Sequence, residues 1–137
     1  MKKIYQIIIT VSILSSSLFA HEYAVVSSRD MKSLSASQIK AVFLKKITVT
    51  NGVKLVPVNL SARDKIRQKF EKKILHMNFS RLKAYWTKQH YLGHRPPLSM
   101  KSQQSVKAFI DKVDGAIGYM EMKNIDKSMK ILYKWSD

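Results

Sequence analysis

A short turn carries the side chains best suited to hold a negatively charged group. Ser61 and Arg63 lie in the segment Asn59–Asp64, between a predicted strand and a predicted helix. In open α/β sheets, ligands lie beyond the carboxyl ends of the strands, and a hydroxyl beside a guanidinium can hold several oxygens of an oxyanion. The free N–H groups of the first helical turn would add donors. We therefore predict an oxyanion site here, with Asp64 competing for the same amides.

The same turn also fits a purely structural role. Ser61-Ala62-Arg63-Asp64 has the spacing of a capping box, in which Ser61 caps the helix and Asp64 reaches back to it. Arg63 would then be solvated. Capping is the minimum role expected of Ser61, and an anion site would be additional.

Two further segments supply groups that could reach an anion. Ser28 and Arg29 follow the first predicted strand and could face the same crevice, although an ordinary strand-ending turn also explains them. Arg95 lies in a polar loop that could touch an anion or a partner. His90 and His94 have the spacing of a zinc pair on a helix, but no carboxylate or cysteine is close in sequence. We expect no metal and no other cofactor.

Recognisable catalytic motifs are lacking in the sequence. It contains no cysteine, no Gly-x-Ser-x-Gly, no His-Glu-x-x-His and no phosphate loop of the Gly-Lys-Ser type. The 9 acidic residues are scattered along the chain. We therefore expect a binding protein and not an enzyme.

The first 20 residues have the layout of a secretory signal peptide. Lys2 and Lys3 give a positive start, an apolar run extends from Ile4 to Leu14, and small residues lead to an expected cleavage after Ala20. The alternative is an uncleaved N-terminal anchor. The apolar run is short for this role, because a membrane span needs about 20 residues. Residues 21–137 are thus expected to form one exported, periplasmic domain.

The expected domain is strongly basic. The whole sequence has 25 Lys and Arg against 9 Asp and Glu, and loss of Lys2 and Lys3 leaves a net charge of +14. Such a surface attracts anions. Because an exported protein rarely meets nucleic acid, the expected partners are a phosphate-like oxyanion, anionic lipid headgroups or an acidic protein. A solvated basic surface without a dedicated ligand is the alternative, and no stable membrane insertion is expected after cleavage.

Strands and helices are predicted to alternate along the domain. Pro57 cannot donate to a strand ladder, so it should lie at an edge or near a strand end. Strands alternating with helices favour an α/β layer with a mainly parallel sheet. The predicted elements are strands at 22–27, 53–58, 116–120 and 130–135, and helices opening at Ser35 or Ser37, at Ser61, before Leu82 and at Ser102.

Several motifs together resemble periplasmic phosphate-binding-protein-like domains. They occur in the family's order and span most of residues 21–137. The resemblance implies a single lobe of the type II periplasmic-binding-protein fold, with a mainly parallel or mixed sheet flanked by helices. The motifs are LSASQIKAVFLKK (34–46), VPVN (56–59), KAYW (83–86) with the later Gly93 and Pro96-Pro97, and GAIGYM (115–120).

Two departures from the family pattern are visible. The chain is long enough for about one of the two lobes that close on the anion, and Asn59–Asp64 replaces a glycine-rich loop in which only Ser61 matches in kind. The resemblance therefore implies a solute-binding-like module for phosphate or a similar oxyanion, associated with anion uptake or sensing. The alternative is a periplasmic adaptor that docks on a membrane sensor or transporter without a small ligand.

Overall fold

The computed structural model of the protein describes residues 21–28 and 31–137. The predicted signal peptide and Arg29 lie outside the described residues. The strands are β1 (Glu22–Ser27), β2 (Val49–Thr50), β3 (Val53–Lys54), β4 (Val56–Leu60), β5 (Leu98–Met100), β6 (Ala116–Glu121) and β7 (Lys130–Ser136). The α-helices are α1 (Ala36–Phe43), α2 (Lys65–Phe70), α3 (Phe79–Tyr91) and α4 (Gln103–Lys112). A π-helical turn at Glu71–Leu75 continues α2, and a 3₁₀ turn spans Met122–Asn124.

Five strands form one mixed sheet in the order β5-β4-β6-β1-β7. β4 is parallel to β5 and β6, whereas β1 is antiparallel to β6 and β7. The carboxyl ends of β4, β5 and β6 therefore meet at one edge, and β1 ends at the opposite edge. The predicted α/β class, with a mainly parallel or mixed sheet flanked by helices, is confirmed.

The predicted strand over 53–58 is divided in two. Asn51 and Gly52 both have positive φ, 48° and 76°, and close a hairpin between β2 and β3. Two left-handed residues in succession are typical of a tight hairpin turn, which glycine and asparagine tolerate best. Leu55 separates this hairpin from β4, which continues to Leu60.

Pro57 lies inside β4 without breaking its ladder. The N–H of Val56 donates to the carbonyl of Gly115 (2.8 Å), on the β6 side. Pro57 therefore faces the other side, where β5 pairs with β4 only from Val58 onward. The ladder therefore requires no N–H from position 57. The prediction that Pro57 lies at an edge or near a strand end is wrong, because β4 is an inner strand and continues to Leu60.

Helices cover both faces of the sheet. On one face, the Tyr119 ring stacks on Phe70 with centroids 4.1 Å apart, and Phe43 of α1 packs edge-on against Phe70. On the other face, α4 packs against β6, where Val106 and Ile110 lie over Gly118. The contacts on both faces are made by buried apolar side chains, and they fix the helices against the sheet.

None of the helices in the described part of the chain combines the length and the apolar character that crossing a membrane requires.

Candidate functional site

The turn between β4 and α2 leaves two donor side chains uncommitted. The amide of Asp64 donates to the carbonyl of Ser61 (2.9 Å), which closes the turn. Ser61 is half-buried and Arg63 is exposed. Within residues 21–28 and 31–137, neither side chain has a hydrogen bond or ion pair. The turn that follows the carboxyl end of β4 thus carries a hydroxyl and a guanidinium that have no partner among the described residues.

Asp64, and not Ser61, caps α2, so the predicted capping box is wrong. The helix begins at Lys65, and Asp64 Oδ1 accepts from the amide of Ile66 at 2.8 Å. Ser61 lies three residues before the cap, inside the preceding turn. Because a carboxylate already occupies this position and repels other anions, attraction for a ligand must come from side-chain donors and not from the start of α2.

Arg67 adds a second guanidinium near the turn, at the carboxyl ends of β4 and β5. Its Nη1 donates to the carbonyl of Leu60 (2.9 Å) and to Ser99 Oγ (3.2 Å), so it links the carboxyl ends of β4 and β5. Its Nε lies 3.4 Å from Glu71 Oε1. In the sequence, Arg67 lies among several lysines of a predicted helix. The sequence analysis therefore did not predict that it links β4 to β5. The four-residue spacing to Glu71 was the available signal.

Burial and ion pairing act in opposite directions on the Glu71 carboxyl. Its side chain is half-buried, and burial raises the pKa of its carboxyl, while the Arg67 charge opposes that rise. Burial disfavours a charged carboxylate because the interior solvates it poorly.

A buried tyrosine fixes the backbone that leads into the turn. The amide of Leu60 donates to Tyr119 Oη (3.2 Å), and the Tyr119 hydroxyl donates to Asn59 Oδ1 (3.1 Å). Burial raises the pKa of Tyr119 well above its ordinary value, so the hydroxyl stays protonated and remains a donor. This pair of bonds sets the position from which Ser61 leaves the sheet.

The structure does not bring Ser28 to this edge. β1 runs against β6, so Ser27 pairs with Ile117, and Ser27 Oγ donates to the carbonyl of Ala116 (2.7 Å). Ser28 consequently lies at the amino ends of the parallel strands, in a hollow shared with Asn51. The expectation that Ser28 faces the same crevice as Ser61 is incorrect because the first strand is antiparallel.

Arg95 also lies away from the turn. It is exposed in the loop that leads from α3 into the amino end of β5, and Met100, at the other end of β5, is the residue in register with Leu60. Gly93, with φ of 84°, separates His90 on α3 from His94 in this loop. Among the described residues, no three His, Asp or Glu side chains come close enough together to hold a metal ion.

Two solved structures share the fold of the described domain. An ABC-type phosphate transport receptor from Vibrio cholerae matches with a TM-score of 0.65 and 18% sequence identity, over 82% of this chain and 46% of that one. A protein described as a substrate-binding protein of a phosphate ABC transporter, from Clostridium perfringens and with bound phosphate, matches with a TM-score of 0.66 and 20% identity, over 82% and 45%. No protein-family model and no curated protein sequence matches the chain.

The chain has a phosphate-binding-protein-like fold and spans less than half the length of these two receptors. The resemblance inferred from the sequence motifs is confirmed for the fold.

Proposed function

We propose that the protein is an exported, non-enzymatic binding module that holds phosphate or a similar small oxyanion at the β4–α2 turn. One observation carries this proposal: Ser61 and Arg63 present uncommitted donors at the carboxyl edge of a fold shared with phosphate transport receptors. Export is supported by the layout of residues 1–20.

Each group near the turn has a distinct role in the proposed binding. The Arg63 guanidinium donates two parallel hydrogen bonds to the oxyanion, and the Ser61 hydroxyl donates a third. Arg67 stays hydrogen-bonded to Leu60 and contributes positive potential from below. Asp64 opposes this attraction, so the affinity is modest and the ligand exchanges readily. These properties fit a role in anion uptake or sensing.

Titration with phosphate, sulfate and molybdate tests the proposal. Residues 21–137 contain every described core residue, from Tyr23 to Trp135, and are the suitable sample. We expect saturable heat with at least one anion and a rise in melting temperature, because a ligand of the folded state stabilises it.

Two matched variants sharpen this measurement. Arg63→Gln should weaken binding at least tenfold, the factor that corresponds to about 1.4 kcal/mol. Arg95→Gln removes the same charge from an exposed loop and should leave the affinity within about twofold, a change of about 0.4 kcal/mol. Absence of heat and of any thermal shift with all three anions would overturn the proposal.

Exposed apolar residues favour a second candidate function, that of an adaptor docking on a membrane sensor or transporter. Phe79, Tyr91 and Leu92 in and after α3 are 73%, 85% and 62% exposed. Capture from an envelope extract distinguishes the two candidates. A stoichiometric protein partner, combined with no response to the three anions, would replace the anion-binding proposal by this one.

A further inference from the structure

A groove of about 630 Å³ opens directly beside the β4–α2 turn. It is lined by Ala62, the residue between Ser61 and Arg63, and by the apolar side chains of Met77 and Phe79. Its size is within the range of about 300–1,000 Å³ that small-molecule sites occupy. The groove therefore begins at a residue directly adjacent in sequence to both Ser61 and Arg63, and it is large enough for an organic group.

The walls of the groove are held in place by local structure. His76 has φ of 52°, a left-handed conformation uncommon for a residue other than glycine, and it ends the helical run. Asn78 Oδ1 then accepts from the amide of Arg81 (2.9 Å) and starts α3. Phe79 follows this cap directly, so its backbone is fixed while its side chain is 73% exposed. The groove exists before any ligand enters.

The charge around the groove suits an anion that carries an apolar group. Lys72 and His76 are exposed on its lining, and Glu71 is the acidic residue there. Glu71 is paired with Arg67 at 3.4 Å, and burial raises the pKa of its carboxyl. Within the described residues, Lys72 has no carboxylate partner, so the lining offers an ammonium group next to an apolar surface.

We propose that the preferred ligand is a phosphate monoester with an aromatic or apolar substituent, which binds more tightly than inorganic phosphate. This inference rests on the proposed function and names its ligand class. The phosphate lies at Ser61 and Arg63, and the substituent lies in the groove against Phe79 and Met77. An aromatic ring on Phe79 gains from apolar burial and from ring-ring packing, whereas inorganic phosphate leaves the groove empty.

Parallel titrations with inorganic phosphate and phenyl phosphate test the inference. Phenyl phosphate should bind about tenfold more tightly, a factor equivalent to about 1.4 kcal/mol. Phe79→Ala should abolish this advantage and leave the phosphate affinity unchanged. Tyr91→Ala, which removes another exposed ring at the other end of α3, should retain the advantage of phenyl phosphate.

The outcomes separate the inference from the proposed function. Equal affinities for the two ligands would overturn the inference and leave the phosphate site standing, whereas binding of neither ligand would overturn both. Arg63→Gln should weaken both ligands. Phenyl phosphate that binds this variant with undiminished affinity would show that the ring binds without its phosphate, which contradicts the proposed placement.

Discussion

At the β4–α2 turn, the carboxylate of Asp64 accepts a hydrogen bond from the amide of Ile66. This carboxylate lies in the turn that is proposed to bind the anion. Asp64→Asn keeps an oxygen that can accept from this amide but removes the negative charge. We expect phosphate to bind about fivefold more tightly, equivalent to about 1 kcal/mol, with the free energy of unfolding changed by less than about 0.5 kcal/mol. Titration calorimetry and urea denaturation measure the two quantities.

Asp64→Ala provides the control for the cap. It should lower the free energy of unfolding by about 1 kcal/mol, the usual effect of losing an N-cap acceptor. Ser61→Ala, by contrast, should change it by less than about 0.5 kcal/mol, since Ser61 does not cap the helix. An unaltered phosphate affinity in Asp64→Asn would place the anion away from this turn.

The two arginines of this region should differ in their effect on stability. Arg67 supplies a donor to the carbonyl of Leu60 and a charge beside Glu71, and its side chain is 20% exposed. Arg67→Ala leaves the carbonyl of Leu60 and the carboxylate of Glu71 without this partner, and it should lower the free energy of unfolding by about 1–3 kcal/mol. Arg63→Ala should lie within about 0.5 kcal/mol of the parent. Equal losses in urea denaturation would contradict the assigned contacts.

Glu71 gives a pH dependence whose sign follows from its burial. The pKa of this carboxyl is raised in the folded protein, so the folded state binds more protons than the unfolded state between the ordinary and the raised pKa. Its contribution to stability therefore falls as the pH rises through that interval. Glu71→Gln should remove this fall.

The difference in unfolding free energy between parent and Glu71→Gln isolates this contribution. Glu121 and Asp126 have lowered pKa values and act in the opposite direction, but they are common to both proteins. The free energy of unfolding of Glu71→Gln should increase relative to that of the parent as the pH rises. A difference that is flat from about pH 4 to pH 7 would mean that Glu71 is not desolvated.

At the scale of elements, Gly115, directly before β6, permits a close approach of the Lys54 backbone that a residue with a Cβ does not allow. Gly115 has φ of 78°, and a Cβ there would lie 1.9 Å from the carbonyl oxygen of Lys54. Gly115→Ala should therefore cost about 3 kcal/mol or more, from the left-handed backbone and the clash together.

Gly93 offers a matched control for that substitution. Its φ is 84°, but a Cβ there meets nothing within 4 Å. Gly93→Ala should consequently cost about 1–2 kcal/mol, the strain of the left-handed backbone alone. Thermal and urea denaturation of the two variants give the comparison. Similar losses would mean that the approach of Lys54 to β6 is unimportant for folding.

Elements with strong local signals were predictable from sequence. Ser35 and Gln38 form the capping box that opens α1, and Ser102 caps α4 as predicted. β1 was predicted at its observed bounds because its apolar run faces helices or strands on every side. For the two capped helices the deciding interactions lie within a few residues of sequence, and for β1 the apolar run itself is the local signal.

The elements that the sequence analysis missed depend on distant contacts. β5 is three residues long, and Leu98 and Ser99 are exposed, so it has no apolar pattern and exists through its pairing with β4. The orientation of β1 is likewise set by its partners β6 and β7. For this reason Ser61 and Arg63 could be placed together from local sequence, whereas Ser28 could not be excluded from the same edge and Arg67 could not be included.

At the scale of the whole molecule, net positive charge should act on any anion at a distance. The chain has a formal net charge of +16. Raising the salt concentration from about 0.01 M to about 0.15 M shortens the Debye length from about 30 Å to about 8 Å. Affinity for phosphate should fall by several-fold over this range, because charges remote from the turn no longer contribute. Titrations at the two salt concentrations measure the fall.

Lys134 tests the distance dependence of this effect. It is exposed on β7, three strands and so about 14 Å from β4. Lys134→Gln should weaken phosphate binding at about 0.01 M salt and leave it unchanged at about 0.15 M, where the separation exceeds the Debye length. The ratio of phenyl phosphate to phosphate affinity should be the same at both salt concentrations, because the groove contributes through apolar contact. A ratio that shrinks with salt would assign the advantage of the ester to charge instead of to Phe79.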